Sequence, residues 1–252
     1  MATIGGSNIV KSGLVLDLDA ANARSYPGSG TTWRDVSGND RNGTLVSGSA
    51  FSNANQGSIV FNITTSYVDM NNNANPLLSS TGNWTINCFV NEPNYSYVAA
   101  GTGTNTIITQ RIAAANNGRM HCSTSGSRTL MFLGNTGSFS SNTITGSIPL
   151  NNNTTYMLTY SRTSATIYTM YVNGVLDTTF TDTGTRNILQ CGNIIGNSNN
   201  DGISYNSFQP LVLNAYQNAM SGSIYMIQIY NRALSASEIL QNYNAQKSRF
   251  GL

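Results

Sequence analysis

The segment from Gly222 to Phe250 constrains the fold most, because a strand pattern is followed directly by a complete helix pattern. Apolar residues fill both alternating faces of residues 223–230, which predicts a strand buried within a sheet rather than an edge strand. One face is predicted to carry Ile224, Met226 and Gln228, and the other Tyr225, Ile227 and Ile229. The rest of the chain is therefore expected to form the sheets that this strand joins.

A helix is predicted from about residue 235 to 247 by its start signals. Ser235 is in the N-cap position, and Glu238 three residues later completes a capping box. Leu234 and Ile239 are spaced for a hydrophobic staple. The predicted apolar face comprises Ala236, Ile239, Leu240 and Tyr243. No other stretch of the sequence gives a convincing helix pattern.

Short alternating runs separated by turn residues make up the remainder of the chain. Asn173-Gly174 lies between two such runs and predicts a hairpin with a type I′ turn. The predicted strands span residues 14–18, 56–61, 67–70, 84–90, 106–111, two within 119–133, 156–162, 166–172, 175–180, 193–195, 210–216 and 223–230. A further short strand is predicted at the tight turn Arg41-Asn-Gly-Thr-Leu. This pattern predicts an all-β fold, a two-sheet antiparallel jelly-roll sandwich over residues 13–252. Residues 1–12 are small, polar and Gly-rich, and we expect an arm that becomes ordered against a neighbouring subunit.

Composition argues against several classes of partner. Charged residues are 9% of the 252-residue chain, against about 25% in a typical domain. The net charge is +2 without a basic cluster, which does not support nucleic-acid binding. No apolar run approaches the ~20 residues of a membrane helix, and no signal-peptide pattern is present, so we expect cytoplasmic synthesis without membrane insertion. Cys88, Cys122 and Cys191 lack metal-ligand spacing and are expected to be buried, reduced thiols.

The acidic residues do not suggest a catalytic pair. Glycoside hydrolysis needs two carboxylates within about 5 to 10 Å of each other. The two glutamates are Glu92 and Glu238, and the capping box already accounts for Glu238. Asp17 and Asp19 share a strand face beside buried leucines, which favours a structural role. We therefore predict no catalytic residues and no enzymatic activity, and a hydrolase or lyase is the least favoured reading.

An ordered set of short motifs extends over residues 13–250. The set comprises Gly13-Leu-Val-Leu-Asp-Leu-Asp, Trp33-Arg-Asp-Val-Ser-Gly-Asn, Asn42-Gly-Thr-Leu, Ile59-Val-Phe, Tyr67-Val-Asp, Trp84-Thr-Ile, Tyr171-Val-Asn-Gly, Ile194-Ile-Gly, Gly222-Ser-Ile and Tyr230-Asn-Arg-Ala-Leu-Ser-Ala-Ser-Glu-Ile. Together they resemble the laminin-G-like, concanavalin A-like jelly-roll superfamily. The resemblance implies the sandwich fold, but a fold alone does not determine function.

The chain end, Tyr243-Asn-Ala-Gln-Lys-Ser-Arg-Phe-Gly-Leu, resembles the ends of laminin-G-like proteins from tailed bacteriophages. This resemblance implies a non-enzymatic protein on the virion surface, made in the host cytoplasm. The expected role is head decoration or a head fibre that docks on other virion proteins, capsid or tail. A homo-oligomer is expected, with a trimer as the suggested state. The alternative is a lectin-like, tail-associated adhesin that binds host surface glycans.

Two kinds of ligand site follow from the resemblance and the loop composition. Members of the superfamily often bind Ca²⁺ at a loop rim through carboxylates and carbonyl oxygens. The candidate calcium ligands are Asp35, Asp40, Asp69 and Asp201. The candidate glycan-binding residues, which combine aromatic rings with nearby polar groups, are Tyr95, Tyr97, Asp201 and Tyr205. The alternative role for these tyrosines is packing at subunit contacts, where Tyr is also enriched. No other cofactor is expected.

Overall fold

The computed structural model describes residues 8–62, 66–70, 78, 82–95, 105–111, 119–135, 138–182, 193–195 and 220–252. These residues form sixteen strands, one α-helix and two 3-10 segments. The strands are β1 (Leu14–Asp19), β2 (Thr32–Trp33), β3 (Gly43–Val46), β4 (Ala50–Ser52), β5 (Ser58–Phe61), β6 (Tyr67–Asp69), β7 (Trp84–Asn91), β8 (Asn105–Arg111), β9 (Arg119–Ser125), β10 (Arg128–Asn135), β11 (Ser138–Thr145), β12 (Thr155–Arg162), β13 (Ile167–Val172), β14 (Val175–Thr181), β15 (Asn193–Ile195) and β16 (Gly222–Tyr230). The helix α1 is Ala236–Gln246, and the 3-10 segments are Ala54–Gln56 and Lys247–Phe250.

The strands form two eight-stranded antiparallel sheets. The first sheet has the order β14-β13-β12-β7-β16-β5-β4, with β1 also paired to β16. The second has the order β11-β10-β9-β8-β15-β6-β3-β2. Apolar side chains from both sheets, such as Ile86 and Met131, form one core cluster between them. The predicted two-sheet antiparallel sandwich is confirmed.

Strand β16 lies inside the first sheet, as predicted. It pairs with β7 along one side and with β1 and β5 along the other. The register shifts between Ile224 and Met226, which makes Tyr225 the extra residue of a β-bulge. Ile224 consequently joins Ile227 in the core between the sheets, whereas Met226 lies in the cluster on the opposite face. The predicted grouping of Ile224 with Met226 is wrong because the bulge interrupts strict alternation.

Helix α1 packs on the outer face of the first sheet. The capping box is confirmed, since Ser235 Oγ accepts from the Glu238 N–H and the Glu238 side chain accepts from the Ser235 N–H. Ile239 and Asn242 are the buried residues of the helix, whereas Leu240 is 44% exposed. The predicted apolar face is therefore wrong at Ala236 and Leu240, which are exposed, because the helix is held to the sheet partly through a buried polar side chain.

Residues 8–12, which were predicted to belong to an arm, are bound to the sandwich. Val10 is buried, and its N–H donates to Asn242 Oδ1 at 2.8 Å. The Tyr230 hydroxyl donates to the Val10 carbonyl at 3.0 Å. These residues are thus part of the domain, and the boundary at residue 13 needs correction. Residues 1–7 lie outside the described residues.

The hairpin turn was predicted correctly, but some strands were not. Asn173 and Gly174 have φ values of 52° and 80°, both positive as a type I′ turn requires. Strands β2, β4 and β11 were not predicted, and the start of the predicted strand 56–61 is a 3-10 segment. The predicted strand 210–216 lies outside the described residues.

Within the described part of the chain, no helix is long and apolar enough to cross a membrane.

Candidate functional site

Tyr95 is the one glycan-contact candidate among the described residues, and it is a core residue. Its ring is 0% exposed and packs edge-on against Tyr156, with 5.7 Å between the ring centroids. Its hydroxyl donates to the Thr154 carbonyl at 3.0 Å. Because protein covers this ring, it is not available to stack on a saccharide, and its assignment is corrected. Tyr97, Asp201 and Tyr205 lie outside the described residues, and their roles stay predictions.

Asp35 organises the loop between β2 and β3. Its Oδ1 accepts from the N–H groups of Asp17 at 2.9 Å and Ser37 at 2.8 Å. Its Oδ2 accepts from the Ser37 hydroxyl at 2.9 Å and from the Arg41 N–H at 3.1 Å. Four protein donors thus use the acceptor capacity of the Asp35 carboxylate, and they give this residue a structural role in the loop.

The calcium candidates among the described residues, Asp35, Asp40 and Asp69, do not form a metal-binding group. Asp40, in the same loop, accepts from Asn42 Nδ2 at 2.7 Å, and Asp69 lies in β6. Among the described residues, no group of three or more His, Cys, Asp or Glu side chains could hold a metal ion. Asp201 lies outside those residues, so calcium binding remains a prediction.

Asp17 and Asp19 have separate structural partners. Asp17 is buried and accepts from Gln228 Nε2 at 3.2 Å, and burial raises its pKa to about 6. Asp19 accepts from Arg249 Nη1 at 2.8 Å. The two carboxylates thus bond to different protein partners, which agrees with the structural role predicted for both.

Two further carboxylates connect the sheets from within. Glu92, at the end of β7, is 0% exposed and accepts from Asn105 Nδ2 at 2.6 Å and Thr124 Oγ1 at 2.8 Å. Burial raises the pKa of Glu92 to about 8. Asp177, in β14, accepts from Thr129 Oγ1 in β10. Thr124 and Thr129 face each other across β9 and β10, so the two acids bond to neighbouring positions of the second sheet.

Sequence reasoning missed the role of Asp177. This residue lies at a register shift in β14, and its carboxylate also accepts from the N–H groups of Ser147 at 2.6 Å and Ile148 at 2.7 Å. The available signal was a lone acid in a strand of otherwise apolar and Thr residues. These acids do not resemble an open hydrolytic pair, because protein donors satisfy them inside the sandwich.

An exposed apolar patch lies where the β13–β14 hairpin meets α1. We define it by Val175, Leu176 and Leu240, which are 60%, 52% and 44% exposed. A Cβ placed on Gly174 would lie 3.0 Å from Leu240 Cδ1, so the hairpin tip and the helix are in contact. Clustered exposed apolar side chains often mark contact surfaces. The sequence did not reveal this patch, because Leu240 was assigned to the buried face.

Solved structures with the same fold include saccharide- and receptor-binding domains. Domain 4 of AbnA, an extracellular arabinanase of Geobacillus stearothermophilus, solved with arabinotriose, is 15% identical with a TM-score of 0.64. The match covers 91% of this chain and 98% of that domain. The binding domain of Paraclostridial Mosquitocidal Protein 1 is 16% identical with a TM-score of 0.64, covering 93% of this chain and 52% of that one.

A third structure is the binding domain of Botulinum Neurotoxin DC in complex with SialylT. It is 12% identical with a TM-score of 0.66, covering 93% of this chain and 52% of that one. The chain thus spans about half the length of the toxin binding domains that it matches. Because the identities are this low, the matches establish a likeness of fold alone.

The sequence profile of the Laminin_G_3 family, described as the concanavalin A-like lectin/glucanases superfamily, matches residues 62–240. No curated protein sequence matches the chain. The matched range contains strands of both sheets, from β6 to β16, extends into α1 and covers well over half of the chain. The chain therefore belongs to the laminin-G-like family of the concanavalin A-like superfamily.

Proposed function

We propose that this chain is a non-enzymatic, lectin-like binding domain that recognises glycans. The observation that carries the proposal is the match to domain 4 of AbnA, because 98% of an arabinotriose-bound domain aligns with this chain. The two toxin structures are binding domains, one of them in complex with SialylT, and they favour the same class of activity.

The chemistry of the described acids supports a binding role over a hydrolytic one. A glycosidase needs one carboxyl to donate a proton and another to act as base or nucleophile at the same bond. Here Glu92 bonds inside the sandwich, Asp19 bonds to Arg249, and Asp35 accepts four donors in its loop. Their acceptor capacity is used by the fold rather than by a substrate.

A glycan array followed by calorimetric titration tests this proposal. We expect saturable binding to one class of saccharide, and loss of that binding in Tyr97→Ala or Tyr205→Ala with an unchanged melting temperature. Tyr243→Ala, at a half-buried helix position, is the matched control and should retain binding. Titration with a chelator present determines whether calcium contributes. Absence of binding by the folded protein across the array would contradict the proposal.

We further propose that the domain is displayed on a bacteriophage particle, docked on capsid or tail proteins as a homo-oligomer. The likeness of the chain end to phage proteins motivates this location, and the exposed apolar patch offers a surface for protein docking. Immunogold electron microscopy on particles from the source lysate tests it. Label over heads is expected for a decoration protein, label on tails would favour the adhesin, and unlabelled particles would refute the virion location.

A further inference from the structure

Glu92 connects the two sheets where β7, β8 and β9 come together. It directly follows β7 of the first sheet, and its partners Asn105 and Thr124 face each other across β8 and β9 of the second. The hydrogen bonds are 2.6 Å from Asn105 Nδ2 and 2.8 Å from Thr124 Oγ1. Glu92 takes part in none of the ion pairs Lys11–Asp17, Arg232–Glu238 and Arg249–Asp19.

The donors around Glu92 are poorly suited to a buried negative charge. Asp177 receives two backbone N–H groups besides the hydroxyl groups of Thr129 and Ser147. Glu92 is fully buried and receives one amide and one hydroxyl, both neutral side-chain groups. A desolvated carboxylate without a cation or several backbone donors is unfavourable compared with the neutral acid.

Among the residues that the structure describes, the remaining titratable groups that act on Glu92 do not provide positive charge. They are Cys88 in β7, Tyr95, and Tyr160 in β12, while Cys122 in β9 and Asp177 in β14 act on Tyr160. Burial raises the pKa of each of these thiols and phenols, so they are neutral near pH 7.

The neutral form of Glu92 fits its surroundings. Thr124 Oγ1 lies 2.8 Å from Oε1 and 2.9 Å from Oε2, so a proton on either carboxyl oxygen has an acceptor. Asn105 Oδ1 is also buried and has no hydrogen-bond partner among the described residues, so this group holds no surplus of donors for a second negative charge. A protonated carboxyl therefore acts as both donor and acceptor within this group.

We propose that Glu92 is a pH-dependent tie between the two sheets, which holds this end of the sandwich closed while the carboxyl is neutral and favours opening when it ionises. Burial, the largest cause, raises the pKa of the folded carboxyl to about 8, above its ordinary value of 4.5. The stabilisation is complete below the ordinary value and is lost as the pH rises through about 8. Local opening should become up to about tenfold easier with each pH unit in that interval.

Carboxyl NMR on the intact chain, with ¹³C in the glutamate side chains, tests the first part directly. Glu92 and Glu238 are the two glutamates, so two carboxyl signals are expected. The Arg232 guanidinium lowers the pKa of Glu238 to about 2, which separates the two titrations widely. We expect one signal to have its midpoint near pH 8 and to disappear in Glu92→Gln. A Glu92 midpoint in the ordinary carboxyl range would overturn the proposal.

Hydrogen exchange tests the opening itself. Protection of the β8 and β9 amides in the unmodified chain should fall with rising pH until about pH 8 and then level off. Glu92→Gln keeps a neutral group of similar shape and should show protection that is nearly independent of pH. Because Asp17 titrates in both proteins, its effect cancels in the comparison. Equal pH dependence in the two proteins would overturn the proposal, even if the carboxyl titrates near pH 8.

Discussion

Replacing Asn242 by alanine tests how the helix and the N-terminal segment are fixed to the sandwich. Asn242 is 1% exposed, and its Oδ1 accepts from the Val10 N–H at 2.8 Å. Its Nδ2 donates to the Tyr230 hydroxyl at 3.0 Å. The substitution removes both bonds and leaves a buried main-chain donor, the Val10 N–H, without its partner.

The expected cost follows from those two bonds. A neutral hydrogen bond contributes about 1 kcal/mol net, and a buried donor left unpaired costs about 1 to 3 kcal/mol. The free energy of unfolding should therefore fall by about 3 kcal/mol, a large fraction of the total stability of a typical domain. For a domain of this size, that corresponds to a decrease in melting temperature of roughly 6 to 12 °C.

Urea denaturation measures this difference, with Asn244→Ala as the matched control. Asn244 is the same residue type in the same helix but is exposed, so its replacement should change stability by less than about 0.5 kcal/mol. Similar unfolding free energies for the two variants would refute the role assigned to Asn242.

Three further substitutions test other parts of the structure. Arg249→Ala breaks a largely buried ion pair to Asp19 and should cost about 3 to 5 kcal/mol in urea denaturation; recovery of full stability by Arg249→Lys would contradict the assigned guanidinium geometry. Asp17 has a folded pKa of about 6, above its ordinary value, so its stabilising contribution is lost as the pH rises through about 6. Asp17→Asn should flatten the dependence of unfolding free energy on pH in that range, and an unchanged slope would contradict the assignment. Gly174→Ala introduces a side chain at φ +80° and in contact with Leu240 of the helix. It should therefore lower the free energy of unfolding by more than backbone strain alone, which costs ~1 to 2 kcal/mol. Gly126→Ala, at φ +55° with open space around it, isolates that strain, and equal losses would rule out the helix contact.

Local signals in the sequence predicted the parts of the fold that depend on neighbouring residues. The capping box at Ser235 and the positive φ values at Asn173 and Gly174 arise from short-range geometry, and both are confirmed. The central position of β16 was also predicted, because both of its faces are apolar. The short alternating runs separated by turn residues thus carried enough information to predict the two-sheet class.

Features that depend on tertiary contacts were not predictable from pattern alone. The bulge at Tyr225 shifts one residue, which reverses the face of every position before it relative to those after it. The buried Asn242 contradicts hydrophobic patterning, because its side chain bonds to Val10 at the other end of the chain and to Tyr230 in β16. Tyr95 was read as a loop residue because Asn and Ser surround it, although its side chain reaches the core.

Affinity electrophoresis tests non-enzymatic glycan binding most directly. The gels contain individual polysaccharides, and the sugars released from them are analysed. The experiment measures binding and cleavage on the same sample of intact, folded protein. We predict retarded migration in at least one polysaccharide, reversed by the matching free oligosaccharide, with no release of reducing ends. Unretarded migration in every gel, or release of reducing ends by the purified protein, would contradict a non-enzymatic glycan-binding domain.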